Sequence, residues 1–302
     1  FTISYLKISF LKKLFLPIFI ISLILLILVP FIGVEIKGAR RWLDFYIFRL
    51  QPIELIKPFF VLITASLITS GKEKNSNYSY FLSLFFLSVI IILLINQPDL
   101  GQTILLVTTW VSIVFISGVK ISYILLLFAF LIICFVSLLV IFPEKFGYIS
   151  QRFSTFFDPT KGDNFQTDKA LAAIKQGGLK GQGMGEGILK ESVPEAHTDY
   201  IIAVISEEFG SIISVLIVSI FLFVAFRVIK KIVNSSNDFY RLSLCGLISM
   251  LTFQAFIHVG VNVNLLPTTG MTLPFISYGG SSIISISILS GIILNLTKRK
   301  IN

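Results

Sequence analysis

The 302-residue chain is 55% hydrophobic and only 14% charged, with a mean hydropathy of +0.90. Soluble domains carry about 25% charged residues, so the composition excludes an ordinary soluble protein and indicates a polytopic membrane protein. The net charge of +9 needs no nucleic-acid partner, because Lys and Arg concentrate in the cytoplasmic loops of membrane proteins.

Apolar runs long enough to cross a bilayer, roughly 17–25 residues, fall at 14–34, 53–70, 80–96, 100–118, 121–142, 200–226, 242–262 and 275–296. They predict an all-α transmembrane bundle of eight spans in a single membrane domain covering 1–302. The third and fourth spans are joined by Gln97-Pro98-Asp99 alone, a tight helical hairpin. The chain begins at Phe1 and reads as a fragment lacking an N-terminal portion. Its first apolar run is too long for a cleavable signal peptide and lacks a small-residue cleavage site.

With eight spans both termini share one side. That side carries Lys7, Lys12, Lys13, Lys72, Lys74, Lys120, Arg227, Lys230, Lys231, Arg241, Lys298, Arg299 and Lys300. Short loops dominate the charge rule, so the termini are expected in the cytoplasm. The opposite side has Lys37, Arg40, Arg41, Arg49 and Lys57 near the first connection and seven more cations in the loop 143–198. Twelve outward cations are more than topology requires and suggest an anionic ligand. Arginine there either meets lipid headgroups or grips phosphate oxygens in bidentate fashion.

The 143–198 loop exceeds fifty residues, and loops that long are usually functional or disordered. It holds an aromatic cluster (Phe153, Phe156, Phe157), a helical stretch over 168–175 and a glycine run from Gly177 to Gly187. It is expected to be ordered and to fold back onto the bundle. The glycines follow no strand and lack a lysine-serine pair, so they do not make a nucleotide-binding loop. They read either as a tight loop needing positive φ or as backbone approaching a sugar or phosphate.

At the loop's end stands Glu191-Ser-Val-Pro-Glu-Ala-His-Thr-Asp199, followed by Glu207 and Glu208 within apolar sequence. Ionisable groups at membrane depth are expensive and by default mark a functional site. Asp199 or Thr198 suits a helix N-cap. A partly desolvated carboxylate there also suits a general base, because burial raises its pKa. Glu207 lies roughly 12 Å deeper, and it and Glu208 read as structural partners of a cation or polar group on a neighbouring helix. His197 lacks the companions a zinc site needs, and His258 reads as a hydrogen-bonded packing residue. Cys134 and Cys245 fall inside helices and read as small core residues rather than a disulfide. The final connection, Leu266 to Ser282, breaks helical sequence with Pro267, Pro274, Gly279 and Gly280. Irregular backbone at that depth lines a polar cavity or is buried in protein, and the small residues also suit close helix packing.

Taken in order, Gly38-Ala-Arg-Arg-Trp42, Gln51-Pro-Ile-Glu-Leu-Ile-Lys57, Gln97-Pro-Asp-Leu-Gly101, Gly181-Gln-Gly-Met-Gly185, Pro194-Glu-Ala-His-Thr-Asp199, Glu207-Glu208 and Pro274-Phe-Ile-Ser-Tyr-Gly-Gly-Ser-Ser282 resemble the SEDS family (shape, elongation, division and sporulation proteins). The likeness is closer to its division branch than to its elongation branch. Thr269 departs from that branch, where lysine is common. The family has ten spans, so the first two are expected to be missing here.

The resemblance implies an inverting peptidoglycan glycosyltransferase that polymerises lipid II in the bacterial cytoplasmic membrane and releases undecaprenyl diphosphate. It places the catalytic base at Asp199. Arg49, Lys57 and Arg41 are candidates for the diphosphate, and Glu191, Glu195, His197, Gln182, Ser277, Tyr278, Gly279 and Gly280 for other substrate contacts. A divalent cation, Mg or Mn, stays open as cofactor. The implied partners are a class B penicillin-binding protein and other division proteins. A lipid II flippase and a non-catalytic scaffold are the competing functions. The outward concentration of charge argues against the first, and the Pro194–Asp199 segment against the second.

Overall fold

The computed structural model describes residues 2–36, 38–74, 76–141, 143–158 and 165–298. Lys37, Lys161, Arg299 and Lys300 lie outside the described residues, as do the side chains of Cys134 and Lys145. The contacts group into two compact units. One comprises 1–118, 222–253 and 278–302, the other 119–221 and 254–277.

The first unit opens with a short helix α1 (Thr2–Tyr5) and a long one, α2 (Ile8–Ile32). Three short strands follow: β1 (Val34–Ile36), β2 (Ala39–Asp44) and β3 (Arg49–Leu50). They form an antiparallel sheet in the order β1-β2-β3, with Ile36 opposite Ala39 and Asp44 opposite Arg49. This sheet is absent from the all-α expectation. Its segment is too short and too charged to register against the apolar runs beside it. The β2–β3 turn presents Phe45, Tyr46, Ile47 and Phe48 to the surroundings.

Three apolar helices come next: α3 (Pro52–Glu73), α4 (Tyr78–Asn96) and α5 (Leu100–Ile116). Among the membrane-length helices α3 is the most enclosed, with 72% of its apolar window buried against 22% for α4. Many apolar side chains on α4 and α2 are therefore exposed, while α3 forms the centre of the unit. Trp110 of α5 donates to Ser83 Oγ of α4 at 3.1 Å, satisfying its indole N–H inside the apolar contact.

The second unit begins with α6 (Ile121–Ile141), α7 (Pro143–Phe157) and α8 (Phe165–Gly177). A 3-10 turn at Leu189–Ser192 leads into α9 (Ile201–Phe209) and α10 (Ser211–Val233). The expected sixth span, 200–226, is thus corrected to two helices. Gly210 between them has φ +85°, and a Cβ at this position would strike the Leu179 carbonyl, so helix cannot continue through it. A core of Ala170, Ala173, Val193, Tyr200, Ala203 and Val261 joins α8 to α9. The described part of the long loop from α8 onward packs through apolar content of its own.

α11 (Asp238–Asn262) runs from the first unit into the second, and α12 (Gly280–Thr297) returns to the first. There Asn295 Nδ2 donates to the carbonyls of Ile3 at 2.9 Å and Leu6 at 2.8 Å. Among the described residues six helices, α2, α3, α4, α10, α11 and α12, are long and apolar enough to cross a membrane. The shorter α5 and the apolar α6 occupy the other two expected positions. The chain is a helical, multi-pass membrane protein.

Candidate active site

Asp199 lies in the second unit, in a tight turn before α9. Glu195, at φ +58°, receives at its carbonyl the N–H groups of Thr198, Asp199 and Tyr200 at 3.1–3.2 Å. Its carboxylate accepts from Thr198 Oγ1 at 2.9 Å. The N-cap position of α9 is Tyr200, and it makes no side-chain cap. The capping role considered for Thr198 and Asp199 is therefore corrected. The turn begins one residue too early, and the first helical amides find other acceptors.

One such acceptor is Asn262, at the end of α11. Its Oδ1 accepts from Ala203 N at 3.2 Å and its Nδ2 donates to the Asp199 carbonyl at 2.9 Å. Ser277 completes the support. Its buried hydroxyl donates to the Thr198 carbonyl at 2.6 Å and accepts from Leu273 N at 2.8 Å. Between these two supports, Gly270 at φ +67° brings bare backbone to the carboxylate, so close that an added Cβ would lie 3.5 Å from Asp199 Oδ2. The segments 194–199 and 266–277, far apart in sequence, therefore build one turn.

Beneath that turn, Tyr200 is buried and its hydroxyl has no hydrogen-bond partner in the structure. Burial pushes its phenol well above the ordinary range. The Asp199 charge acts in the same direction and Arg152 in the opposite one. His258 packs as expected, with Nδ1 2.7 Å from the Met271 carbonyl.

The glycine run lies on the C-terminal end of α9. Gln182 N donates to the Glu207 carbonyl at 2.8 Å and Gly183 N to the Glu208 carbonyl at 3.0 Å, while Gln182 Nε2 donates to the Gln176 carbonyl at 2.6 Å. Glu207 is fully buried and accepts the N–H groups of Leu189 and Lys190, both at 2.7 Å. Glu208 pairs with the Lys190 ammonium. The partners expected on a neighbouring helix are thus corrected to the returning loop, whose free amides need acceptors as much as the acids need donors. Glu191 and His197 are exposed.

The basic candidates Arg41, Arg49 and Lys57 lie in the first unit, with Tyr278, Gly279 and Gly280. Lys57 is fully buried, its ammonium 2.8 Å from the carboxylate of Glu54 on the same helix. Gln102 Nε2 donates to Glu54 at 2.8 Å, Gln102 N to Asp99 at 3.3 Å and Gln51 Nε2 to Asp99 at 3.4 Å. The two motifs beginning Gln51 and Gln97 are therefore one polar network. Burial holds the Asp99 carboxyl above the usual range, with Arg41 the first of the effects opposing it. Arg41 itself donates to the carbonyls of Gln97, at 2.9 Å, and Pro98. Arg49 Nε meets Asp44 at 3.1 Å, and the arginine remains largely exposed. Tyr278 is exposed, and Gly279 starts α12 with extended backbone.

The family described as cell cycle protein, which groups FtsW, RodA and SpoVE, matches residues 1–302. The chain belongs to it. A probable peptidoglycan glycosyltransferase FtsW of Caulobacter vibrioides is 35% identical, over 94% of this chain and 72% of the relative. One of Escherichia coli is 36% identical, over 88% of this chain and 66% of the relative. Among solved structures, one described as structural coordination of polymerization and crosslinking by a peptidoglycan synthase complex aligns with a TM-score of 0.80. It is 27% identical, over 98% of this chain and 84% of the other. The rod shape determining protein RodA of Thermus thermophilus aligns with a TM-score of 0.70 at 27% identity, over 98% and 81%.

Asn262, Arg152, Glu54, Gln102 and Asp99 are the polar residues to which sequence reasoning gave no role. Asn262 had a faint signal, a carboxamide repeated in Val-Asn-Val-Asn at the end of an apolar run. Among the described residues no three His, Cys, Asp or Glu side chains come together as a metal-binding group. A magnesium ion on a diphosphate typically draws most of its ligands from the substrate and water, with one or two protein carboxylates.

Proposed function

We propose that this chain is a peptidoglycan glycosyltransferase of the bacterial cytoplasmic membrane that polymerises lipid II, with Asp199 as general base. Its termini face the cytoplasm and Asp199 faces outward, where a lipid-linked sugar presents its hydroxyl. Family membership supports the reaction class. The observation that carries the residue assignment is the turn at Asp199, built jointly by Asn262, Ser277 and Gly270 from two otherwise remote motifs.

In the reaction the acceptor GlcNAc 4-hydroxyl attacks C1 of the donor MurNAc and gives its proton to the Asp199 carboxylate. The C1–oxygen bond to undecaprenyl diphosphate breaks, and its electron pair leaves with the diphosphate. One displacement at C1 turns α into β. Negative charge grows on the leaving group and needs nearby donors. Arg49 suits this task best, since a guanidinium has five N–H donors and the Asp44 contact engages Nε. Lys57 acts through its network with Glu54, and Arg41 by fixing the 97–98 connection. Glu195 and Ser277 position Asp199, while His197, Glu191, Gln182 and Tyr278 contact sugar. A class B penicillin-binding protein is the expected partner, within a larger set of division proteins.

The test uses full-length protein with its transpeptidase partner and labelled lipid II. Asp199→Asn keeps the turn's main-chain bonds and removes the base, so polymer formation should fall about 10²–10⁴-fold while the protein still folds and binds its partner. Equal polymer from both proteins would remove Asp199 as the base. No polymer from either, with lipid II crossing liposomes, would favour the flippase.

A further inference from the structure

The second unit contains an open cavity of about 260 Å³ between α7, α8 and the 263–277 connection. We propose that it is a binding subsite for an uncharged, N-acetylated sugar ring of the growing glycan strand. This inference rests on the transferase reading above.

The lining selects the ligand class. Gln151 from α7, Gln166 from α8 and Asn264 from the connection contribute carboxamides. Each carboxamide both donates and accepts, as a sugar hydroxyl and an acetamido group also do. Tyr148 and Phe156 add aromatic surface for the C–H face of a ring. Among the described residues no carboxylate lines the cavity. Arg152, the one charged side chain among the described lining residues, donates to the Thr268 carbonyl at 3.1 Å, which makes the cation part of the wall. Such a surface is too polar for a lipid tail and too poor in charge for a diphosphate. Its size points the same way, because pockets for drug-sized ligands run from roughly 300 Å³ upward. This one suits a single ring.

The cavity also adjoins the right place. Thr268 forms part of its wall, and Gly270, two residues on, lies against Asp199 Oδ2. Two residues reach at most about 7 Å. A strand whose terminal hydroxyl stands at Asp199 thus has polar, ring-sized space waiting for a neighbouring sugar. Arg152 ties the two regions further, since its charge is felt at Tyr200 beneath Asp199.

The experiment uses full-length protein with its transpeptidase partner and tetra-N-acetylchitotetraose, a neutral oligomer, as probe. Binding is followed by saturation-transfer NMR and strand length by gel. Gln151 and Gln166 are both exposed, so Gln151→Ala with Gln166→Ala should leave the core intact. Loss of their hydrogen bonds should weaken probe binding about tenfold and shorten the strands. Gln151→Glu, which keeps the side-chain volume but adds charge, should do the same. Unchanged binding and unchanged strand length in both variants would overturn the subsite while leaving the transferase intact. If wild type binds the probe and the double variant does not, but neither makes polymer, the cavity binds N-acetylated sugar while the transferase reading falls, and with it the assignment of that sugar to a growing strand.

Discussion

The network around Lys57 and the turn around Asp199 hold their charges by opposite means. Lys57 and Glu54 are 0% and 2% exposed, and each relies on side-chain partners inside the bundle. Asp199 is half-buried and is held through its main chain, by the Glu195 carbonyl, Asn262 and the Ser277 contact one residue earlier. A buried ion pair fixes its atoms but gives up its chemistry to its partner. A carboxylate whose main chain is held at several points has its position set by the backbone. The difference separates a pair that organises the fold from a group suited to proton transfer.

Breaking the buried pair should have the largest effect on stability. Lys57→Met leaves Glu54 charged and buried, which typically costs about 3–5 kcal/mol. Thermal unfolding in detergent should show a large drop for Lys57→Met and substantial recovery for Lys57→Met combined with Glu54→Leu. If Lys57→Met melts like wild type yet loses polymerisation, the lysine serves substrate instead, and the contrast with Asp199 collapses.

Much of this contrast was legible in the sequence, though unevenly. The apolar runs marked the helices, because lipid requires long segments whose backbone polar groups bond internally. Asp199 stood out because a carboxylate at that boundary is costly. Glu54 and Lys57 are three residues apart, which puts them on one helical face, but only the structure brings Gln102 and Gln51 to the same network. The β1–β3 sheet escaped because strands of two to six residues show too little alternation to stand out. The split at Gly210 escaped for another reason. The residues on either side are apolar, and the break arises from contact with Leu179, thirty-one positions earlier.

Asn262→Ala tests the other half of the comparison at intermediate size. It removes the donor to the Asp199 carbonyl and the acceptor for Ala203 N, so about 1–3 kcal/mol is at stake. If Asn262 acts by positioning, kcat should fall about tenfold while KM for lipid II changes little. An equal loss in Asp199→Asn and in Asp199→Asn combined with Asn262→Ala would show that both act through the same carboxylate. Additive losses would separate them and make Asn262 a scaffold residue alone.

The smallest effect is expected at Lys190, which is partly exposed and pairs with Glu208 where the loop meets α9. The hydrogen bond to Glu208 is the main cause holding the Lys190 ammonium above its usual pKa of 10.5. A folded-state pKa raised in this way gives stability that is complete at neutral pH and lost only as pH rises through the raised value. Lys190→Met should therefore speed hydrogen exchange in the 177–187 segment at neutral pH, and high salt should shrink the difference by screening the pair. Glu207 limits the damage, since its carboxylate takes the Leu189 and Lys190 main-chain amides and those bonds survive the substitution. A large loss of loop protection in Lys190→Met would mean that the ion pair, rather than the main chain, fixes the loop. The two regions would then hold their structure by the same means after all.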